Sequence, residues 1–263
     1  MIKIVSIAQE IDQYMKSYLT WESYFSGYFS GAVLVAQKGE VLLTKGYGFS
    51  NLEHNVPNHS KTKFRIGSMT KQFTAVAILH LFEMNNLNIH DGINKYLSGY
   101  PNGQSISVHH ILTHTSGISN LNYFHSMRQY ITTEKLVGRF KDLPLLSFPG
   151  EQFSYSNAGY ILLAYILEKI TGMSYEDYLR TYLFEPLSMK STGCDNFRNI
   201  LKDRASGYSL WEEVSNTEFI DMSTAHGAGN LYSTVEDLFL WDRALSQKKF
   251  SLKNLRDYYL PHI

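Results

Sequence analysis

The clearest local pattern in the chain is a pair of β-rich runs near the N-terminus. Residues 31 to 37 read GAVLVAQ and residues 40 to 48 read EVLLTKGYG, with Lys38 and Gly39 between them. Two such runs, separated by two residues of which one is glycine, are typical of a β-hairpin. Ahead of them, apolar side chains recur at helical spacing over residues 6 to 24, which predicts an amphipathic helix that packs on a sheet.

Beyond residue 67 the apolar pattern becomes helical. The stretch 68 to 84 is apolar on nearly every side, which predicts a helix in the centre of the molecule. Residues 156 to 171 carry one apolar side and stop at Gly172, as expected of a helix with a glycine C-cap. The other predicted helices are 91 to 97, 107 to 114, one from near Thr133, 175 to about 184 capped by Ser174, one to about 245 capped by Ser233, and a last one capped by Ser251. Almost no strands are expected after the hairpin.

The charge balance narrows the choice of partners. The 263 residues include 24 Lys and Arg and 24 Asp and Glu, so the formal net charge is zero, and no block of about five like charges occurs. The sequence therefore has no cluster of basic residues that would bind nucleic acid or an anionic membrane. A small-molecule or peptide substrate is more consistent with this charge balance. The single cysteine, Cys194, cannot form an internal disulfide and lacks the paired spacing of a zinc site.

The sequence shows no targeting signal. The N-terminal stretch MIKIVSIAQEIDQYMK is too briefly apolar for a signal-peptide core, and no later segment holds about 18 apolar residues in a row. We therefore expect no membrane span and a cytoplasmic protein, or an extracytoplasmic one if the N-terminus is incomplete.

The first chemical candidate is the pair Ser68 and Lys71 at the start of the predicted central helix. Positions three apart share a helix face, so the lysine can reach the serine hydroxyl. A helix N-terminus also favours developing negative charge, because its first N–H groups have no intrahelical acceptor. The same Ser-x-x-Lys spacing occurs in a polar loop at Ser60 and in a charged helix tail at Ser246, so the spacing alone is weak. A simple N-cap role for Ser68 is the alternative.

The second chemical candidate is the pair Tyr155 and Asn157, at the loop-to-helix junction that opens the helix 156 to 171. A serine hydroxyl is a weak nucleophile at neutral pH and needs a base. Lysine and tyrosine both titrate near about 10 in water, but an ammonium favours a neighbouring phenolate and burial disfavours the ammonium. A cluster of serine, lysine and tyrosine can therefore relay a proton near neutral pH. Tyr100 with Asn102 has the same spacing in a turn, so this motif is also weak by itself.

A combination of five longer segments is far more specific than either short motif. The segments are FRIGSMTKQFTAVAILHLFE, SVHHILTHTSGI, PGEQFSYSNAGYILLAYILEKITGMSYEDYL, FEPLSMKSTG and GAGNLYSTVEDLFLWDRAL. In this order they resemble the serine β-lactamase-like superfamily on its class C branch. That branch comprises class C β-lactamases, penicillin-binding DD-peptidases and family VIII carboxylesterases. The resemblance covers about residues 5 to 263.

The resemblance implies a fold and a division of the chain. The implied fold class is α+β, β-lactamase/transpeptidase-like, with an antiparallel sheet flanked by helices and a helical subdomain. Residues 1–263 would form a single domain. Residues 1–67 and about 220–263 would make its α/β part, and about 68–219 its mainly helical part.

The resemblance also implies roles for the two short motifs. Ser68 would be acylated by a β-lactam, a D-amino-acid peptide or an ester. Lys71 and Tyr155 would move protons, and Asn157 would bind substrate. Water or another acceptor would then release the acyl group. No cofactor is expected.

The family's third motif is Lys or His, a small residue and Gly, on a strand beside the nucleophile. The one match in this chain is His90-Asp91-Gly92, which precedes Tyr155 and is predicted to form a turn. The loop around His226 instead resembles the family's glycine-rich loop that leads into a helix. The resemblance therefore indicates a truncated member whose C-terminal sheet strands are missing.

This gap leaves three hypotheses about function. In the family, the missing strand supplies one N–H of the oxyanion hole, so weakened or absent turnover is expected. The alternative is a non-catalytic homologue that binds a ligand or partner through the same cleft. Open sheet edges would also allow self-association.

His109, His110 and His114 raise the question of a metal site, because positions 110 and 114 share a helix face. They lack the intervening glutamate of the HExxH pattern. The stretch matches a structural segment of the family, so no metal is expected.

Overall fold

The computed structural model describes residues 2–17, 29–120, 127–210 and 214–247. Its helices are α1 (Ile2–Ser17), α2 (Thr70–Glu83), α3 (Val108–Leu112), α4 (Thr133–Gly138), α5 (Asn157–Thr171), α6 (Tyr175–Leu179) and α7 (Val235–Ser246). Its strands are β1 (Gly31–Gln37), β2 (Glu40–Tyr47), β3 (Phe49–Asn51), β4 (Val56–Pro57), β5 (Phe64–Arg65), β6 (Gly193–Cys194), β7 (Tyr208–Leu210), β8 (Val214–Asn216) and β9 (Leu231–Ser233). The described residues also form 3-10 turns at Gly67–Met69, Ile93–Lys95 and Met222–Ala225, and a π-helical turn at Arg180–Phe184.

The predicted hairpin is confirmed. β1 and β2 pair antiparallel, with Gln37 opposite Glu40, and the turn residues Lys38 and Gly39 have φ of 51° and 86°. Positive φ at both central residues gives a two-residue turn whose twist matches that of the strands. The sequence places the turn correctly because glycine adopts this conformation without a steric penalty.

Helix α1 is tied to the hairpin by a carboxylate. Asp12 accepts hydrogen bonds from Lys45 Nζ at 2.8 Å and from the Tyr47 hydroxyl at 2.9 Å. The Lys45 contact is the largest cause that holds the pKa of Asp12 well below its usual range. The pattern predicts this helix over residues 6 to 24, whereas it spans Ile2–Ser17, and residues 18–28 lie outside the described part of the chain.

A three-stranded sheet joins distant parts of the chain. β9 lies between β5 and β6 and is antiparallel to both, with Arg65 opposite Tyr232 and Cys194 opposite Leu231. β3 with β4 and β7 with β8 form two further antiparallel pairs. The expectation of almost no strands after the hairpin is therefore wrong. Strands of two or three residues are too short to show an alternating pattern in the sequence.

The core forms around α2 and α5. The Phe73 ring of α2 is fully buried and stacks on Trp241 of α7, with 4.1 Å between ring centroids. Burial of these apolar side chains is the main stabilising contribution to the fold. The largest fully buried side chains of the two helices are Phe73, Ile78, Leu81, Ile161, Leu162, Leu163 and Ile166. The prediction of a central helix over 68 to 84 is thus confirmed.

The C-terminal end of α5 and the start of α6 follow the predicted caps, whereas Ser156, predicted as the first residue of the helix, is the N-cap of α5. Ser156 accepts a hydrogen bond from the Gly159 N–H, and Gly172 ends α5 with φ of 68°. Ser174 caps α6, and the predicted helix of residues 175 to 184 is completed by the π-helical turn Arg180–Phe184.

Helix α7 is capped by a different residue from the predicted one. Thr234 accepts the hydrogen bond from the Asp237 N–H. Ser233 belongs to β9, and its hydroxyl contacts Thr192 Oγ1 at 2.7 Å, so it is not available as the cap. The helix predicted to begin at Ser251 lies outside the described residues.

The molecule is therefore an α+β protein in which small antiparallel sheets pack with helices. No helix among the described residues is long and apolar enough to cross a membrane. The division into an α/β part and a helical part over about 68–219 stays a prediction.

Candidate active site

The chain turns sharply from β5 into α2 at the predicted nucleophile. Gly67 has φ of 52°, and Gly67–Met69 form one 3-10 turn before α2 begins at Thr70. A non-glycine residue would be strained at this φ. Ser68 is consequently exposed at the N-terminal end of a buried helix, where backbone N–H groups lack intrahelical acceptors.

Lys71 lies one helical turn after Ser68 and is only 6% exposed. Its Nζ donates to Ser68 Oγ at 3.2 Å, to Asn157 Oδ1 at 2.8 Å and to the Ala228 carbonyl at 2.7 Å. Burial lowers the pKa of Lys71, and the nearby Tyr155 hydroxyl opposes this shift. The amine is therefore fully hydrogen-bonded as an ammonium and easier to deprotonate than a surface lysine.

Tyr155 completes the contact with the serine. Its hydroxyl donates to Ser68 Oγ at 2.7 Å, and its ring centroid lies 4.8 Å from Lys71 Nζ. The serine hydroxyl thus contacts an amine and a phenol at once. The structure brings Ser68, Lys71, Tyr155 and Asn157 together, as the sequence predicts.

The geometry does not support the N-cap alternative for Ser68. The N-cap position of α2 is Met69, which makes no side-chain capping hydrogen bond. The 3-10 turn that holds Ser68 also has no side-chain cap. The Ser68 hydroxyl points at Lys71 and Tyr155 instead.

Asn157 is the first residue of α5, and a residue that the sequence analysis did not single out holds it in place. Asn120 Oδ1 accepts hydrogen bonds from the N–H groups of Asn157 at 2.7 Å and Ala158 at 3.3 Å. Asn120 Nδ2 donates to the Tyr155 carbonyl at 2.6 Å. Asn120 therefore connects Tyr155 to Asn157 through backbone contacts on both.

The loop of residues 226 to 230 closes the site from another side. The Gly227 carbonyl accepts from Thr74 Oγ1 at 2.6 Å, and the Gly227 N–H donates to Asn230 Oδ1 at 3.0 Å. These contacts place the Ala228 carbonyl on Lys71. The loop was expected to lead into a helix, and it does so after the short strand β9.

His114 is the other site neighbour that the sequence analysis did not predict. α3 ends at Leu112, so His114 does not share a helix face with His110. It has φ of 58°, and its ring stacks on the Tyr155 ring with 4.6 Å between centroids. Burial, with a smaller contribution from the charge of Lys71, lowers its pKa to about 4.

With this geometry established, comparison with known proteins shows what the chain resembles. A family model described as Beta-lactamase matches residues 7–259. The chain belongs to the beta-lactamase family. A similar solved structure is that of FmtA from Staphylococcus aureus, with a TM-score of 0.82 and 26% identity over 94% of this chain and 69% of that chain.

Two curated members of the family are similar over most of this chain. One is a Bacillus subtilis (strain 168) protein named as a penicillin-binding protein, PbpX, 32% identical over 265 residues, which cover 99% of this chain and 64% of that protein. The other is teichoic acid D-alanine hydrolase of Staphylococcus aureus, 27% identical, covering 88% of this chain and 55% of that protein. The chain therefore spans a little more than half to nearly two thirds of these two relatives.

The beta-lactamase-family third motif has its one sequence match at His90-Asp91-Gly92, and the structure places this match in a turn. Gly92 bridges to Ser107, and a 3-10 turn follows at Ile93–Lys95. The match therefore pairs with the segment before α3 and not with a strand of the β5-β9-β6 sheet. In the described part of the chain, no group of three or more His, Cys, Asp or Glu side chains is placed to hold a metal ion.

Proposed function

We propose that this beta-lactamase-family chain is a serine acyl hydrolase that works through an acyl-enzyme on Ser68. The observation that carries the proposal is the double contact of Ser68 Oγ, 3.2 Å from Lys71 Nζ and 2.7 Å from the Tyr155 hydroxyl. These distances meet the requirement that a general base lie within hydrogen-bond reach of the proton it removes.

Lys71 is the group that receives the Ser68 proton in this proposal. A neutral amine has two N–H donors and one lone pair. The two shorter bonds, to Asn157 Oδ1 and the Ala228 carbonyl, occupy the donors and leave the lone pair for the longer contact with Ser68. The Tyr155 hydroxyl shares the proton with Lys71, so the pair acts as one coupled base.

Acylation then follows in balanced steps. As the Ser68 proton moves to the Lys71–Tyr155 pair, Oγ bonds to the substrate carbonyl carbon and the carbonyl π pair moves to oxygen. The Ser68 N–H, at the start of a helix, donates to this oxyanion. The intermediate collapses, the bond to the leaving group breaks, and the pair returns the proton to the leaving nitrogen or oxygen.

Deacylation repeats the sequence with water. The Lys71–Tyr155 pair takes a proton from water, the oxygen attacks the acyl carbon, and Ser68 Oγ leaves with the returned proton. Asn157 Nδ2 has no hydrogen-bond partner among the described residues, since its Oδ1 faces Lys71. We propose that this amide N–H donates to a substrate carbonyl.

The proposed substrates are a β-lactam, a D-amino-acid peptide or an ester. The relatives support this range, because one is named as a penicillin-binding protein and another as a teichoic acid D-alanine hydrolase. All three substrates present a carbonyl whose carbon can accept a serine oxygen.

A hydrolysis panel tests the proposal. Nitrocefin, a D-alanyl-D-alanine peptide and a p-nitrophenyl ester are incubated with the parent chain, Ser68→Ala and Ser60→Ala. Ser60 is a matched control, because it has the same spacing to a lysine, Lys63. We expect hydrolysis of at least one substrate by the parent and by Ser60→Ala, and none by Ser68→Ala. Equal hydrolysis by all three proteins would refute the proposal.

The alternative of a non-catalytic homologue predicts a different pattern, binding without turnover. Weak turnover is intermediate between an active hydrolase and a non-catalytic homologue, and it stays a prediction. A burst of one product molecule per chain followed by slow release would support weak turnover. Saturable binding of a β-lactam with neither burst nor adduct would support the non-catalytic alternative.

Self-association through open sheet edges is a further part of the proposal. Within the described residues, β1 and β2 pair only with each other. Val41 of β2 is 46% exposed. An edge with unpaired backbone groups can pair with a second chain. Light scattering at micromolar concentration is expected to show a dimer, and a monomer would contradict this part alone.

A further inference from the structure

We propose that His114 is a positioning residue that holds the Tyr155 hydroxyl on Ser68. This inference rests on the proposed function, because it concerns the residue to which that proposal gives proton transfer. In the contacts described, His114 reaches Ser156 and the Tyr155 ring and not Ser68, so it would act through Tyr155.

The first support is a pair of hydrogen bonds between His114 and the backbone on either side of Tyr155. The His114 carbonyl accepts a hydrogen bond from the Ser154 N–H at 2.7 Å. The His114 ring atom Nδ1 accepts one from the Ser156 N–H at 3.1 Å. One residue therefore fixes the backbone on both sides of Tyr155.

The second support is the ring contact. The His114 and Tyr155 rings are 29° from parallel, with 4.6 Å between their centroids. Tyr160 also contacts His114, at 5.0 Å between centroids, and it is buried with its hydroxyl donating to the Leu112 carbonyl at 3.0 Å. The Tyr155 ring thus rests on an imidazole that is itself supported by a fixed, buried ring.

The position of Tyr155 explains why such support matters. The Tyr155 residue is 42% exposed, so solvent alone would not restrict its rotamer. Its 2.7 Å bond to Ser68 Oγ is lost with a displacement of about 1 Å, and misplacement of this size can reduce rates by about 100-fold.

The geometry also requires a neutral imidazole. Nδ1 accepts from the Ser156 N–H, so protonation there would set two donors against each other. Burial and the charge of Lys71 favour the neutral ring. The titratable groups that face this ring are Lys71, Tyr155 and Tyr160.

A double-mutant cycle tests the inference. The rate of Ser68 modification by a fluorophosphonate probe is measured by intact mass for the parent, His114→Asn, Tyr155→Phe and the double variant. Asparagine suits the positive φ at position 114. We expect His114→Asn to slow modification by about 10- to 100-fold in the parent and by less than about twofold in the Tyr155→Phe background.

The matched control is His109→Asn, in helix α3 of the same segment, whose ring lies 5.8 Å from that of His90. It is expected to react at the parent rate. Equal slowing by His114→Asn in both Tyr155 backgrounds would indicate a general structural role and overturn the inference. So would a parent-like rate for His114→Asn.

A second measurement separates this inference from the proposed function. Hydrogen exchange of the Ser156 amide is expected to rise in His114→Asn and not in His109→Asn, because the substitution removes the ring acceptor Nδ1. The Ser154 amide donates to the His114 backbone carbonyl, which the substitution keeps, and serves as the internal reference. A parent chain that is never modified at Ser68 would refute the proposed function, and the exchange result would then decide the positioning claim. Unchanged exchange at the Ser156 amide would overturn it.

Discussion

Tyr155 contributes both its hydroxyl and its ring to the candidate site. Its hydroxyl donates to Ser68 Oγ, while its ring lies 4.8 Å from Lys71 Nζ and stacks on His114. Tyr155→Phe removes the hydroxyl and keeps these ring contacts. We expect it to lower kcat/KM by about 10²- to 10⁴-fold, as is typical of general acid–base groups, with little change in the thermal unfolding midpoint. Steady-state kinetics checks this, and retention of more than about half of the parental kcat/KM would contradict the relay.

Protonation of His114 makes the free energy of unfolding depend on pH. Its pKa is about 4 in the folded chain against the ordinary 6.5, so the unfolded chain takes up this proton first as the pH falls. The free energy of unfolding therefore decreases between about pH 6.5 and 4, by at most about 3 kcal/mol from this residue. Urea unfolding at pH 7.5 and 4.5 should show a smaller decrease in His114→Asn than in the parent. An equal decrease in both would show that His114 is not responsible.

The sequence predicts four residues of the candidate site and misses two of their neighbours, for a physical reason. Ser68 and Lys71 are found because helical spacing alone brings them together, and Tyr155 and Asn157 because they flank a helix start. His114 and Asn120 reach the site only through the packing of a loop against residues 35 to 42 positions later. Local spacing carries no information about such contacts. The positive φ of His114 gives no strong sequence signal either, since glycine is the residue usually expected there.

Among the elements near the candidate site, the glycine-rich loop is packed closely against α5. A Cβ on Gly227 would lie 2.5 Å from Ala164 Cβ and 3.0 Å from the Tyr160 carbonyl, both on α5, and Gly227 has φ of 68°. We expect Gly227→Ala to reduce the free energy of unfolding by about 2–4 kcal/mol, through overpacking and an unfavourable backbone conformation. It should also slow Ser68 modification, because the next carbonyl, that of Ala228, holds Lys71.

The control for this substitution is Gly138→Ala. Gly138 ends α4, and its added Cβ would meet no atom within 4 Å. This change should alter stability by less than about 1 kcal/mol. Chemical denaturation measures both variants. Similar effects of the two substitutions would show that the packing of the loop on α5 is not the cause.

Element prediction succeeds where a periodic pattern is long. The hairpin β1–β2 and the helices α2 and α5 each span seven or more residues, and all are found. The strands β5, β6 and β9 have two or three residues, and their pairing is non-local: Phe64 of β5 lies opposite Ser233 of β9, and Cys194 of β6 lies opposite Leu231. The cap of α7 is displaced by one residue for the same reason, because pairing of Ser233 with Phe64 uses it in the sheet.

At the scale of the whole molecule, the site depends on segments that are far apart in the chain. Lys71 by itself hydrogen-bonds to Asn157, 86 positions later in the chain, and to Ala228, 157 positions later. The buried Asp195 carboxylate pairs with Arg65 at 2.5 Å and with Arg204 at 2.6 Å, which ties the strand before Ser68 to the segment after β6. Removal of one partner from a buried pair is strongly destabilising.

This dependence predicts that Ser68 reactivity follows the folded state. The rate of fluorophosphonate modification should fall with urea at the same midpoint as the loss of helical circular dichroism, because the groups that contact Ser68 come from segments that the folded core holds together. A reactive fraction that persists well beyond that midpoint would show that local helix structure suffices. Loss of reactivity well before it would show that the site opens separately from the core.

The most direct test of the account is the intact mass of the chain after incubation with a fluorophosphonate probe, beside its Ser68→Ala and Ser60→Ala variants. We predict a single adduct on the parent and on Ser60→Ala, and none on Ser68→Ala, because in the proposed mechanism Ser68 is activated by Lys71 and Tyr155, which both contact its hydroxyl. A folded parent chain with no adduct, or an adduct that survives Ser68→Ala, would contradict it.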